Sequence, residues 1–425
     1  MFGFSRPDSP SDEDDVFDME FVRSQFPAFM EPKLAGWAFF ENAGGSYPCL
    51  QVVDRLTEFY RRNKVQPYAP YPAGRAAGEQ MDESATALAP WLGVPEDWIH
   101  FGPSTTMNVY VLSRAFRETW DEGAAIVVTQ QDHEANSGAW RRLADAGVEV
   151  REWTVDEAGS LQVETLAGLL ADGRVKLVAF PHCSNIVGEI NPAAEICAMA
   201  RDAGAVSVVD GVAMAPHGLP DVGELGADVY LFSTYKTFGP HLGVMVASPE
   251  LAMRLANQGH FFNAAHPGKR LTPAGPDHAQ VAAAAGVAHY LDAFDLHHFP
   301  EADPDPRARR TRVRTLIRAR ERKLTAPLLE HVVDSGFRLL GPSDPQTRAP
   351  TLAIDVGMPG ETAAERLAGK GVMCGGGHFY AWRLIEALGL APERGALRLS
   401  LLHYTSPEEV DQAIDALEAL ASREV

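Results

Sequence analysis

Two side chains of opposite charge carry the first chemical hint. Asp210 ends the apolar run AVSVVD (205–210), and Lys236 follows another, in VYLFSTYKTFGP (229–240). Open α/β sheets gather their ligand chemistry at the carboxyl ends of their strands. An aspartate and a lysine brought together there are what a pyridoxal phosphate enzyme needs. The amine forms a Schiff base with the coenzyme, and the carboxylate keeps the pyridine nitrogen protonated so that the ring accepts electrons. Such residues abound in a 425-residue chain, and on its own the pair reads more simply as a surface lysine and a capping aspartate.

Four further segments add groups of matching chemistry. FGPSTTMN (101–108) sets Ser104, Thr105 and Thr106 ahead of a helical run, offering hydroxyls and free backbone N–H groups to a phosphate. QQDHEANSGAW (130–140) delivers His133, whose flat ring suits the face of a pyridine, and PHCSNIVGEINP (181–192) delivers Asn185. GALRLSLLHYTSPEEVD (395–411) places Arg398 in a strand-like run, where a buried guanidinium needs an anion such as a substrate carboxylate.

The elements that must position these groups are legible as well. AAIVVT (124–129), VKLVAF (175–180), AVSVVD and VYLFS alternate with the helical stretches SGAWRRLADAG (137–147) and AAEICAMARDAG (193–204). Strands apolar on both faces between amphipathic helices predict a mostly parallel sheet covered on both sides. Gly147 and Gly204 stand at expected helix C-caps. The arginine-rich stretch 300–325 follows a Pro/Asp-rich linker and reads as a solvated or interface helix at a domain boundary. PEEVDQAIDALEALA (407–421), with Ser406 and Glu409 in capping-box spacing, reads as the closing helix of a smaller α+β domain.

Composition narrows the class. Lys and Arg number 37 against 57 Asp and Glu, a net charge of −20, which disfavours nucleic acid and anionic lipid as partners. Residues 1–16 read as a disordered acidic tail with no secretory signal pattern, and no apolar run is long enough for a membrane span. Cys49, Cys183, Cys197 and Cys374 lie far apart, which argues against a disulfide scaffold and for a reducing cytoplasm. His217 reads as a structural contact, adjacent His297 and His298 lack ligand spacing, and no metal site is expected.

The ordered set ENAGGS (41–46), STT (104–106), DHEAN (132–136), HCSNIVGEINP (182–192), VVDGVAMAPH (208–217), FSTYKTFGPHLG (232–243) and LRLSLLHYTSPEEVD (397–411) resembles the class V aminotransferase and cysteine desulfurase superfamily over residues 20–420. The resemblance implies the fold of type I pyridoxal 5'-phosphate (PLP) enzymes. A large cofactor-binding domain would span 41–294, and 17–40 with 295–425 would form a smaller α+β domain. It implies that Lys236 bears the imine and moves the Cα proton, Asp210 pairs with the ring nitrogen and His133 stacks on the ring. Thr105, Thr106, Ser233 and Tyr235 would hold the phosphate. Thr272, in RLTPAG (270–275), would reach the phosphate of a neighbouring subunit, hence a homodimer with shared active sites. Asn185 and Arg398 would bind the substrate carboxylate or the ring hydroxyl.

Two departures bear on the reaction. Ala213 stands where relatives carry a Gln-type donor to the ring hydroxyl. In VMCGGGHFYAWRL (372–384), Tyr380 falls at the desulfurase cysteine position, and Cys374 comes six residues early. His378 and Tyr380 become candidate acid/base or substrate-binding groups. The expected activity is PLP-dependent chemistry at the Cα of an amino acid, of lyase, aminotransferase or epimerase type. The alternatives are a desulfurase using Cys374, a decarboxylative carbon–carbon bond-forming enzyme, and a catalytically silent binding protein on the same fold.

Overall fold

The computed structural model describes residues 16–275 and 277–422. The stretch read as an acidic tail lies, up to residue 15, outside the described residues. Seven strands form the central sheet: β1 (Ile99–Gly102), β2 (Ala125–Thr129), β3 (Glu149–Trp153), β4 (Val175–Pro181), β5 (Val206–Asp210), β6 (Val229–Ser233) and β7 (Gly243–Ala247). Their spatial order is β1-β7-β6-β5-β4-β2-β3. Five of them, β3-β2-β4-β5-β6, run parallel, and β7 lies antiparallel to both of its neighbours.

Side-chain alternation explains why these runs are apolar throughout. Val127, Val178, Val209 and Tyr230 point into one core layer, and Ile126, Leu177, Val208 and Leu231 into the other. Each face must therefore be covered by helices. Helices α1 (Thr105–Arg117) and α2 (Glu134–Arg141) pack on one face, and the 21-residue α3 (His278–His298) packs on the other. Gly147 and Gly204 both adopt left-handed backbone, φ 79° and 74°, where the chain turns from helix into the next strand.

A second, wholly antiparallel sheet has the order Gly375–Gly377, Ala396–Ser400, Thr351–Asp355, Arg338–Leu340. A short parallel ladder joins Ala38–Phe39 to Val372–Met373. Leu352, Ile354, Leu397 and Leu399 share a core with Leu417 of α5 (Pro407–Ala421) and Leu328 of α4 (Pro306–Asp334). Ser406 and Glu409 close the capping box at the start of α5. The arginines of the first two turns of α4 pair with acids of neighbouring elements. Arg312 Nε lies 2.6 Å from Asp295, Arg307 pairs with Glu224 at 2.6 Å and Arg310 with Asp221, so the helix is an interface element. His217 lies 2.9 Å from buried Glu321 of α4. His297 meets Asp18 at 2.9 Å, and His298 accepts the Asp18 N–H at 3.1 Å. Among the described residues no helix is long and apolar enough to cross a membrane.

One glycine fixes how closely β7 approaches the start of α1. A Cβ on Gly243 would come within 2.7 Å of the Thr105 backbone nitrogen and nearer still to the Ser104 carbonyl carbon. Backbone on both sides cannot yield as a side chain would. Gly243→Ala is expected to lower stability by about 1–3 kcal/mol, as overpacking does. It should also weaken retention of the cofactor that the resemblance implies, because the first turn of α1 must shift. Denaturant unfolding of the apo protein and dialysis of the loaded protein check both effects.

Candidate active site

The ends of β1, β2, β4, β5 and β6 converge on one cavity of about 300 Å³. Ser104, Thr105 and Thr106 reach it from the N-terminus of α1, and Asn185 from the loop after β4. Asp210 comes from the last position of β5, and Ser233, Tyr235 and Lys236 from β6 and the turn that follows it. His133 reaches it as the N-cap of α2. The chain thus brings together residues from five separate segments on the carboxyl edge of the sheet.

Lys236 is buried, with no hydrogen bond or ion pair at Nζ among the described residues; the Tyr235 ring centroid is 5.7 Å away. Burial, and then the charge of Arg398, bring its amine down to about 8. Asp210 is also buried and accepts the Val212 N–H at 2.9 Å. Desolvation pushes its carboxyl up to about 6, so a cation placed against it would favour the ionised form. Desolvation, aided by Lys236 and Arg398, drives His133 down to about 3. Its Nδ1 accepts the Ala135 N–H at 3.0 Å. The neutral ring therefore carries its proton on Nε2 and presents a flat, uncharged face.

At the other end Ser104 caps α1, accepting the Met107 N–H, and Thr105 Oγ1 lies 2.8 Å from Ser233 Oγ. The first-turn amides of a helix have no intrahelical acceptor, and the 13 residues of α1 point that end at the cavity. Tyr235 stacks on His241, with centroids 4.8 Å apart. Ala213 lines the cavity with no polar side-chain atom, whereas Asn185 Oδ1 is buried there without a partner.

Arg398 adopts an arrangement that sequence reasoning missed. It is buried, yet it does not line the cavity directly. Its Nη2 donates to Glu41 Oε1 at 2.7 Å and its Nη1 to the Asn185 carbonyl at 3.3 Å. Its guanidinium carbon lies 3.7 Å from the Phe379 ring centroid. Glu41 belongs to ENAGGS, whose Gly-Gly pair was the available signal: a Cβ on Gly44 would stand 2.6 Å from Glu41 Oε1.

Residues 378–380 form a strap over this region. Asn185 Nδ2 donates to the Phe379 carbonyl at 3.0 Å, Glu134 N to the Tyr380 carbonyl at 2.8 Å, and Tyr380 N to His378 Nδ1 at 3.1 Å. Phe379 and Tyr380 hold positive φ, 48° and 60°, a conformation that bulky residues rarely adopt. The exposed Tyr380 ring sits 5.3 Å from His133, and neither it nor His378 lines the cavity. Cys374 packs against the core of the second sheet, and burial with the nearby Glu41 charge pushes its thiol up to about 12. Thr272 lies half-buried, away from the cavity of its own chain. Cys183, deeply buried, lines the cavity unanticipated.

These groups fit pyridoxal phosphate. A buried amine without a bonding partner, a buried carboxylate, an orphaned amide oxygen and an open helix N-terminus share one small cavity. With this sheet they define a PLP-dependent enzyme of fold type I. The model of the class V aminotransferase family matches residues 38–266, and the chain belongs to that family. It is 34% identical over 418 residues to the aminotransferase-like protein FGM3 of Gibberella zeae, covering 95% of this chain and 98% of that one. It is 27% identical over 428 residues to probable cysteine desulfurase 2 of Mycobacterium leprae, covering 93% and 95%. The cysteine desulfurase of Thermococcus onnurineus superposes with a TM-score of 0.82 at 24% identity, over 95% of this chain and 98% of that chain, which shows the shared fold.

The depressed basicity of Lys236 has a direct consequence. Its amine must lose a proton before it can attack the cofactor aldehyde, so uptake of PLP by the apo protein should accelerate as pH rises through about 8. Stopped-flow absorbance gives the midpoint. A midpoint at the ordinary lysine value, about 10.4, would contradict the burial argument.

Proposed function

We propose that the chain acts on the Cα of an amino-acid-type amine, by lyase, aminotransferase or epimerase chemistry, with Lys236 as the proton-moving base. The observation that carries this reading is that Lys236 and Asp210, both buried, line one cavity with the His133 ring. Bound PLP supplies an electron sink for a carbanion at Cα. The chain's own residues do the rest. Asp210 holds a negative charge at the depth of the cavity, where a cationic ring nitrogen would stabilise it. His133, neutral and flat, covers a ring face without adding charge. Thr105, Thr106, Ser233 and Tyr235 hold the phosphate, and the first turn of α1 adds its dipole. Lys236 Nζ, near neutrality in basicity, takes and returns a proton at Cα. Asn185, with its free Oδ1, fills the place that Ala213 leaves without a donor or acceptor, and Arg398 sits at the carboxyl end of the substrate. His378 and Tyr380 guard the entrance.

We further propose a cytoplasmic homodimer in which Thr272 serves the partner's phosphate site. The exposed Phe261 and Phe262, 87% and 65% accessible, lie on the same segment and would be covered there. Desulfuration by Cys374 is the second reading. It has the names of several relatives on its side, and the packing and raised basicity of that thiol against it.

Deuterium exchange at Cα in heavy water tests the proposal, using the PLP-loaded protein, a panel of amino acids and their simple derivatives, and mass detection. Exchange is expected in the wild type and in Cys374→Ser alike, and should fall by about 10²–10⁴ in Lys236→Ala, the range for loss of a general base. No exchange with any amine, or sulfide release from cysteine that vanishes in Cys374→Ser, would overturn it.

A further inference from the structure

The anion seat on Arg398 is taken by the chain itself. Glu41 Oε1 accepts from Nη2 at 2.7 Å, in a notch bounded by Gly44 and Gly375, either of which would collide with that carboxylate if it carried a Cβ. Gly375 pairs across the second sheet with Arg398, so the notch and the guanidinium are built from adjacent strands. Arg398 is closed on one face by Phe379 and on another side by the Asn185 carbonyl. Two polar atoms in this seat are buried without partners: Glu41 Oε2, an acceptor, and Arg398 Nε, a donor.

The charge of Arg398 is already balanced by Glu41, which sits on it at 2.7 Å. A free substrate carboxylate brought to Arg398 would share one buried guanidinium with Glu41, leaving a negative charge uncompensated in a desolvated site. A carboxamide carries no charge. It offers both a donor and an acceptor, the complements of the orphaned Glu41 Oε2 and Arg398 Nε.

We propose that Glu41 is a specificity-determining residue that makes the site select an α-amino amide, a free amine whose carboxyl group is masked, over the free amino acid. This rests on the reading of the cavity as a PLP site for amino-acid-type amines. It restricts the substrate class to aminoacyl derivatives and leaves the chemistry at Cα as proposed.

Equilibrium titration of the PLP-loaded protein with L-alanine and with L-alaninamide, followed by the absorbance change of the bound cofactor, tests it without turnover. Dissociation constants are corrected for the fraction of unprotonated amine. Wild type should bind the amide at least tenfold more tightly than the acid. Glu41→Gln, which keeps the shape and frees the guanidinium from its counter-charge, should shift that ratio at least tenfold towards the acid. Equal or tighter binding of L-alanine by the wild type, or an unchanged ratio in Glu41→Gln, overturns the inference and leaves the PLP reading intact. A cofactor band that responds to neither compound overturns both.

Discussion

The arrangement depends on keeping a lysine and an aspartate out of water in one cavity without pairing them to anything that quenches them. Burial disfavours the charged form of each: Lys236 falls to about 8 and Asp210 rises to about 6. A protein retains such groups when a ligand completes them. The fold meets this need simply. Asp210 ends β5, Lys236 follows β6 in the next position of the sheet, and the two strands are parallel, so both side chains emerge at the same edge. Neutral His133 and the N-terminus of α1 complete the rim from strands further out.

Around this pair the structure distributes strain and charge unevenly. The 378–380 strap holds two aromatic residues at positive φ and is pinned by bonds from Asn185 and Glu134. Glu41 and Arg398 form a half-buried counter-pair whose position is set by glycines on both sides. Asp210 and Ser233 end strands and Thr105 opens a helix, while Asn185 and the 378–380 strap lie in irregular segments and Arg398 stands on a strand of the second sheet.

Much of this was legible in the chain because the relevant signals are local. Apolar runs such as AIVVT and VYLFS could only be strands buried on both faces, and Gly147 and Gly204 marked helix ends that proved left-handed. Asp210 and Lys236 were recognisable since a strand end is itself a local feature, and the Ser406–Glu409 box needs only three residues of spacing. The partner of Arg398 was not legible. Glu41 is 357 positions away in sequence, and the Gly-Gly pair beside it marks a close approach without naming what approaches. The acids that neutralise the first arginines of α4 were not legible either, which made a structural helix look like a charged surface. The strap escaped notice because its geometry comes from hydrogen bonds to His133's neighbour and to Asn185, both on distant segments. Cys374 could be placed near the site by sequence distance, but only the packing of the second sheet shows the thiol turned into a core.

The most direct measurement is to load the protein with PLP, fix it with borohydride and map the phosphopyridoxyl group by peptide mass spectrometry. The account predicts one labelled lysine, Lys236. A label on any other lysine, or a protein that binds the cofactor but fixes none, would contradict it.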